Sequence, residues 1–339
     1  MKSFLVVLSI ILLSATAFLL GRTVVDVDDK NRSGSQQLRI QLQWFDGAQF
    51  MGFYVAKAKG YYRDEGLQNV DLIPLPGYTA SPITLLQEGQ ADIAIATADQ
   101  VLISATKEND IKVVGTVFNR SLARFMYKKN NFNNMNLWEL KNKKIAVYKN
   151  FDTENILKAL DKKHHLNLNY ETDVLPAGAI EAFQNNEIDL WGSYINNEPE
   201  SMKIQGIEVG LLDPEEYGIE FYSDTVITTS NYLKDNREVV KKFLKASSKG
   251  WQYAKDYPQE SIDIMFELIK NITKDEHMNK ELASLKILSN YLGSGPNNKI
   301  FYMDKNRWLI MEKNLHIIGA LPREGYIDRL CDFNIINEY

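Results

Sequence analysis

The sequence predicts an α/β protein of two lobes with a mostly helical C-terminal region. Three observations carry that prediction. Strand-like and helix-like segments alternate in two comparable runs, the runs share an internal echo, and apolar residues recur at helical spacing through most of the chain beyond Asn236.

Leu38 to Leu42 alternates apolar and polar residues as a half-buried strand does, and Phe50 to Tyr62 then shows helical spacing. Gly60 and Gly66 punctuate the end of that helix before a second strand at Val70 to Leu75, so the order suggests a parallel crossover. The pattern continues with a helix at Ser81 to Glu88, a strand at Ala91 to Ala96, a helix at Asp99 to Lys107 and a strand at Ile111 to Phe118. A second set follows Arg124 to Lys128. It has strands at Lys144 to Tyr148, Tyr170 to Val174 and Ile188 to Tyr194, and helices at Thr153 to Lys163 and Ala177 to Asn185. Largely parallel sheets are expected from this alternation. Four helices are expected at the C-terminal end: Glu238 to Tyr257, Gln259 to Lys270, Lys274 to Tyr291 and Lys305 to Ile317.

The echo is between LLQEGQADIAIATAD (Leu85 to Asp99) and AFQNNEIDLWGSYINNEP (Ala182 to Pro199). Each has a helix end, a polar turn, an apolar strand and then a polar cluster. Ligands of open α/β sheets bind outside the carboxyl ends of strands, where these clusters fall.

The chain has 339 residues, 45% of them hydrophobic and 24% charged, enough for two lobes with buried cores. Its formal charge of -5 offers no basic field for a phosphate backbone, so nucleic acid is not an expected partner. Residues 1–22 hold an uncharged, mostly apolar run between Lys2 and Arg22, read as a signal peptide or a membrane anchor. At about 1.5 Å per residue the run spans roughly 28 Å, close to the roughly 30 Å hydrocarbon core. Residues 23–37 read as a polar linker. A periplasmic or extracytoplasmic location is expected, with inner-membrane anchoring if the segment is not cleaved.

No catalytic motif is found. The four histidines, His164, His165, His277 and His316, avoid the strand ends of the N-terminal half, and His164-His165 lies beside Lys162 and Lys163 as a solvated face does. Cys331 is the sole cysteine, which excludes an internal disulfide and a cysteine-cluster metal site. No metal or cofactor is expected.

The strand ends instead carry binding chemistry. Trp44, Asp46 and Gln49, then Thr97 and Asp99, Asn119, Tyr194, Asn196, Asn197 and Glu198, and finally Tyr222 and Asp224 combine flat apolar faces with carboxylates and amides. A planar heteroaromatic stacks on Trp or Tyr, and its amines need acceptors. Asp152, near a helix start, would repel a sulfonate or phosphate. Each residue also has a plainer reading. Phe50, Phe53 and Tyr54 suit a core, Asp99 suits a helix cap, and Asn197-Glu198-Pro199 suits an ordinary turn into a helix.

LQWFDGAQFMGFYVAKAKGYYRDEGL (Leu42 to Leu67) resembles the opening signature of the periplasmic substrate-binding proteins for sulfonates, nitrate and thiamine-pyrimidine precursors. EGQADIAIATADQVL is similar to the next family segment. The stretch from Tyr194 to Ile262 resembles the pyrimidine-precursor branch, and the likeness runs from about Arg39 to Asp332.

The resemblance implies a type II periplasmic-binding-protein fold with a cleft between its lobes. Residues 38–118 plus 225–339 would form one lobe and residues 119–224 the other, joined by a two-crossing hinge. It also implies that Trp44, Gln49, Asp99, Tyr194, Asn197, Glu198 and Tyr222 bind ligand, with Trp44 and Tyr194 stacking and Asp99 and Glu198 accepting. The implied function is an extracytoplasmic solute-binding protein of an ABC transporter, taking hydroxymethyl- or formylamino-pyrimidine or a related heteroaromatic to a permease. The alternatives are the sensing domain of a membrane signalling system or a thiamine pyrimidine synthase-like enzyme. That synthase uses an active-site histidine and a cysteine-rich motif, whereas here no histidine precedes His164. Asp46-Gly47-Ala48 departs from the family pattern and is where ligand preference is expected to be written.

Overall fold

The computed structural model describes residues 37–77, 80–107, 110–132, 134–171, 176–269 and 274–339. The N-terminal apolar segment, nearly all of the linker, and the expected element ends at Val174 and Lys270 lie outside the described residues.

The strands are β1 (Gln37–Gln41), β2 (Asn69–Ile73), β3 (Ile93–Thr97), β4 (Ile111–Thr116), β5 (Ala123–Lys128), β6 (Ile145–Ala146), β7 (Tyr170–Glu171), β8 (Leu190–Tyr194), β9 (Val209–Leu212) and β10 (Asp224–Thr229). They form two five-stranded sheets, ordered β2-β1-β3-β10-β4 and β7-β6-β8-β5-β9. β1 pairs in parallel with β2 and β3, as β6 does with β7 and β8.

The expectation of largely parallel sheets needs correction. β10 is antiparallel to both β3 and β4, and β5 is antiparallel to both β8 and β9. These are the strands on which the chain enters one sheet straight from the other, after β4 and after β9. With no α-helical crossover to turn it round, such a strand enters in the reverse sense.

Local chemistry explains the helix ends. The expected helix from Phe50 to Tyr62 is split into Met51–Ala58 and Tyr61–Asp64 by Gly60, whose φ of 79° is left-handed. Asp304 accepts from the N–H groups of Asn306 and Arg307 and so starts the Lys305–Ile317 helix where the spacing predicts it. Thr229 caps the long Ser230–Asp256 helix in the same way, through the Tyr232 N–H.

One core lies where the Met51–Ala58 and Ser230–Asp256 helices meet the first sheet. Phe53 stacks on Phe243 with ring centroids 5.8 Å apart and meets the edge of Trp251 at 6.0 Å. The two helices approach through glycines: a Cβ at Gly250 would lie 2.0 Å from the Gly52 carbonyl oxygen. A second core joins the two sheets. Trp308, Met311 and Leu315, at one-turn and two-turn spacing on the Lys305–Ile317 helix, cluster with Leu157 and Leu160 of the Asp152–His164 helix, with Val113 of β4 and with Phe125 of β5. A third, around Met126, Phe183 and Trp191, belongs to the second sheet.

Candidate functional site

The site is built at the carboxyl ends of β1, β3, β6 and β8 and the start of β10. Because β10 is antiparallel to β3, Asp224 stands opposite Thr97, two residues before Asp99 in the Ala98–Ser104 helix. Asp152 opens the helix that follows β6, and Tyr194 ends β8.

Asp99, Asp152 and Asp224 are each fully buried. Asp224 accepts from the side-chain amides of Gln43 (2.9 Å) and Gln49 (2.7 Å). Asp99 Oδ2 accepts from Asn155 Nδ2 at 2.7 Å, a bond between the helix after β3 and the helix after β6. Asp152 Oδ1 accepts from the Tyr194 hydroxyl at 2.6 Å. Asp99 Oδ1, Asp152 Oδ2, and the hydroxyls of Thr153 and Tyr148 are buried without a partner. Buried polar atoms with no partner in the protein can take a hydrogen bond from a group outside the chain.

Burial dominates the electrostatics. It pushes the Asp152 carboxyl up to about 7, helped by the charges of Asp99 and Asp224. Burial likewise pushes Asp224 up to about 7 and raises Asp99. The Tyr194 phenol is raised by burial and then by Asp152.

Aromatic rings line the same region. Trp44 meets Phe151 edge-on at 5.9 Å, and Phe151 in turn lies 5.6 Å from Tyr148. The two sides also touch through Gln100 Nε2, which donates to the Asn150 carbonyl at 2.9 Å, and Asn196 Nδ2, which donates to Ser284 Oγ at 3.1 Å.

Of the residues expected from the sequence, Trp44, Gln49, Asp99 and Tyr194 are brought together here. Asp99 is inside its helix and not at the cap, which is Thr97. Glu198 adjoins through Tyr194 but serves the turn: its Oε2 accepts from the Tyr194 N–H at 2.8 Å and its Oε1 from Asn197 Nδ2 at 3.3 Å. Pro199 follows in the first helical turn, as the plainer reading of that tripeptide has it. Tyr222 stands apart. Its ring packs 5.5 Å from Trp308 and its hydroxyl accepts from the Asp304 N–H, beside a separate cavity of about 430 Å³ shared with Arg120, Glu215 and Arg307. Phe50, Phe53 and Tyr54 are core residues. In the departing loop, Asp46 accepts from the Tyr54 hydroxyl and the Ala48 N–H donates to Glu281 at 2.7 Å, so the loop is tied to two helices.

The expected site residues omit Gln43, Tyr148, Phe151 and Asp152, and omit Asp224 although it stands among the strand-end residues. The available signal was position: Tyr148 to Asp152 follow a parallel strand and precede a helix, where open α/β sheets place ligands. Among the described residues, no three His, Cys, Asp or Glu side chains converge closely enough to hold a metal ion.

A two-lobed α/β fold with a buried, acceptor-rich and aromatic cluster at its strand ends is the architecture of the periplasmic-binding-protein fold. The model of the NMT1/THI5-like family matches residues 47–261, and the chain belongs to that family. It is similar to the formylaminopyrimidine-binding protein of Halalkalibacterium halodurans, 24% identical over 328 residues that cover 91% of this chain and 92% of that protein. It is also similar to the riboflavin-binding protein RibY of Chloroflexus aurantiacus, 22% identical over 236 residues, 69% of this chain and 67% of the other. Among solved structures, the periplasmic aliphatic sulphonate binding protein SsuA of Escherichia coli superposes with a TM-score of 0.69 at 16% identity, over 90% of this chain and 100% of that one. That likeness concerns the fold. No helix among the described residues is long and apolar enough to cross a membrane.

Proposed function

We propose that the protein is an extracytoplasmic receptor that binds a thiamine-pyrimidine precursor, hydroxymethyl- or formylamino-pyrimidine, or a related small heteroaromatic, and delivers it to an ABC permease. The observation that carries this reading is the pair of buried, unpartnered carboxylate oxygens on Asp99 and Asp152 beside the Trp44, Phe151 and Tyr148 rings. An aminopyrimidine supplies what that recess lacks: N–H donors in the plane of a ring that packs on aromatic faces. Trp44 and Tyr194 form the wall in this reading, Asp99 accepts, and Glu198 with Asn197 holds Tyr194 in place. Residues 38–118 with 225–339 and residues 119–224 are the two lobes that close on the ligand. The formylaminopyrimidine-binding relative supports the ligand class. The binding names of both curated relatives support a receptor over the synthase.

Isothermal titration calorimetry of the full chain with both pyrimidines, and with riboflavin in parallel, tests it. Binding of a pyrimidine with a Kd of about 1 μM or below is expected, about -8 kcal/mol. Silence toward both pyrimidines would overturn the specific assignment, and riboflavin binding in their place would redirect it.

A further inference from the structure

We infer that the solute is held in this cleft as an organic cation: a flat ring with an amidinium-like edge whose N–H donors face Asp99 Oδ1 and Asp152 Oδ2. The inference rests on the reading that this cleft is the ligand site and specifies the charge of what enters it.

Three fully buried carboxyls arrive from three elements: Asp99 from the helix after β3, Asp152 from the helix after β6, and Asp224 from β10. The groups that face them are Thr97, Gln100 and Asn155 around Asp99, Tyr194 and Thr153 around Asp152, and Gln43, Gln49 and Ser223 around Asp224. All are neutral. Among the described residues no lysine or arginine forms an ion pair with any of the three, and Lys280 acts on Glu198 instead. The negative charge of the recess is therefore left without a protein counter-charge, a costly arrangement that either a proton or a cationic ligand relieves.

Asp224 has both oxygens engaged by amides, whereas Asp99 and Asp152 each keep one buried oxygen without a partner in the protein. Two carboxylate acceptors in want of donors suit a ligand that brings charged N–H groups, as an amidinium does. Phe151 precedes Asp152 directly, and with Trp44 and Tyr148 it supplies π faces that attract a cation further. A sulfonate, which the Escherichia coli structural neighbour is named for, would meet carboxylates where it needs donors. Among the described residues the three aspartates do not converge as a metal cage.

The test uses the full chain and four probes in calorimetry at pH about 7. These are benzamidinium, its neutral isostere benzamide, hydroxymethyl-aminopyrimidine, and the analogue in which the amino group is replaced by an oxo group. Benzamidinium is expected to bind at least about tenfold tighter than benzamide, and the aminopyrimidine at least about tenfold tighter than its oxo analogue. Both preferences should fall to near unity in the Asp99→Asn, Asp152→Asn double variant. Equal binding of charged and neutral partners overturns the cation inference while leaving the pyrimidine reading standing. Benzamidinium bound selectively while the hydroxymethyl- and formylamino-pyrimidines both fail removes the pyrimidine reading and keeps the cation. If none of the four binds, the cation inference falls, while the pyrimidine reading falls only if formylamino-pyrimidine is silent as well. The comparison within the unmodified chain decides the matter even if the double variant does not fold.

Discussion

Asp152 and Asp224 have carboxyls pushed up to about 7 by burial, against an ordinary value near 4, so between about pH 4 and 7 the folded chain holds protons that the unfolded chain releases. For an acid raised on folding, stability is greatest at low pH and falls as pH rises through the folded value. The ligand-free protein is expected to melt at higher temperature near pH 5.5 than near pH 8, and Asp152→Asn should flatten that slope and raise the melting temperature at pH 8. Scanning calorimetry across that range checks it, and a flat or rising profile would contradict the burial account. Asp332, lowered by Arg237, works in the opposite direction, but its contribution fades only below the ordinary carboxylate range. At this scale the sequence was partly legible. Asp99 and Tyr194 were readable as strand-end residues, whereas Asp152 read as a helix-start charge, because nothing in its neighbourhood along the chain reveals that Asp99 and Asp224 will lie beside it.

The contact between the Met51–Ala58 and Ser230–Asp256 helices depends on the absence of side chains at its closest point. A methyl group at position 250 would fall 2.0 Å from the Gly52 oxygen and 2.8 Å from the Ala56 nitrogen, both backbone atoms that cannot rotate away. Gly250→Ala is expected to cost about 1–3 kcal/mol, despite alanine's better helix propensity, measured as a lowered denaturant midpoint at unchanged slope. A neutral or stabilising effect would mean that the helices separate freely. Helices with a partly solvated face were legible, and the Lys305–Ile317 helix has the predicted bounds. β10 was missed because nearly every residue from Asp224 to Thr229 is buried, so the alternation that betrays a strand is absent, and only its β-branched run hinted at it.

Over the whole molecule, the second core makes the two sheets interdependent. Trp308, Met311 and Leu315 pack with side chains from both sheet regions, so neither loses its partner without exposing apolar surface on the other. A single calorimetric transition is expected for the full chain, with van't Hoff and calorimetric enthalpies that agree. Two resolved transitions would show that the shared core is not cooperative. The sequence by itself determined the two α/β runs, the helical C-terminal region and the family signature, because these follow from short-range periodicity and contiguous motifs. Only the tertiary structure decided the reversed strands, the removal of Tyr222 to a separate cavity, and the meeting of Asp99, Asp152 and Asp224. Those three are far apart along the chain, and burial in one recess, which no local pattern encodes, is what turns ordinary acids into the chemistry of the cleft.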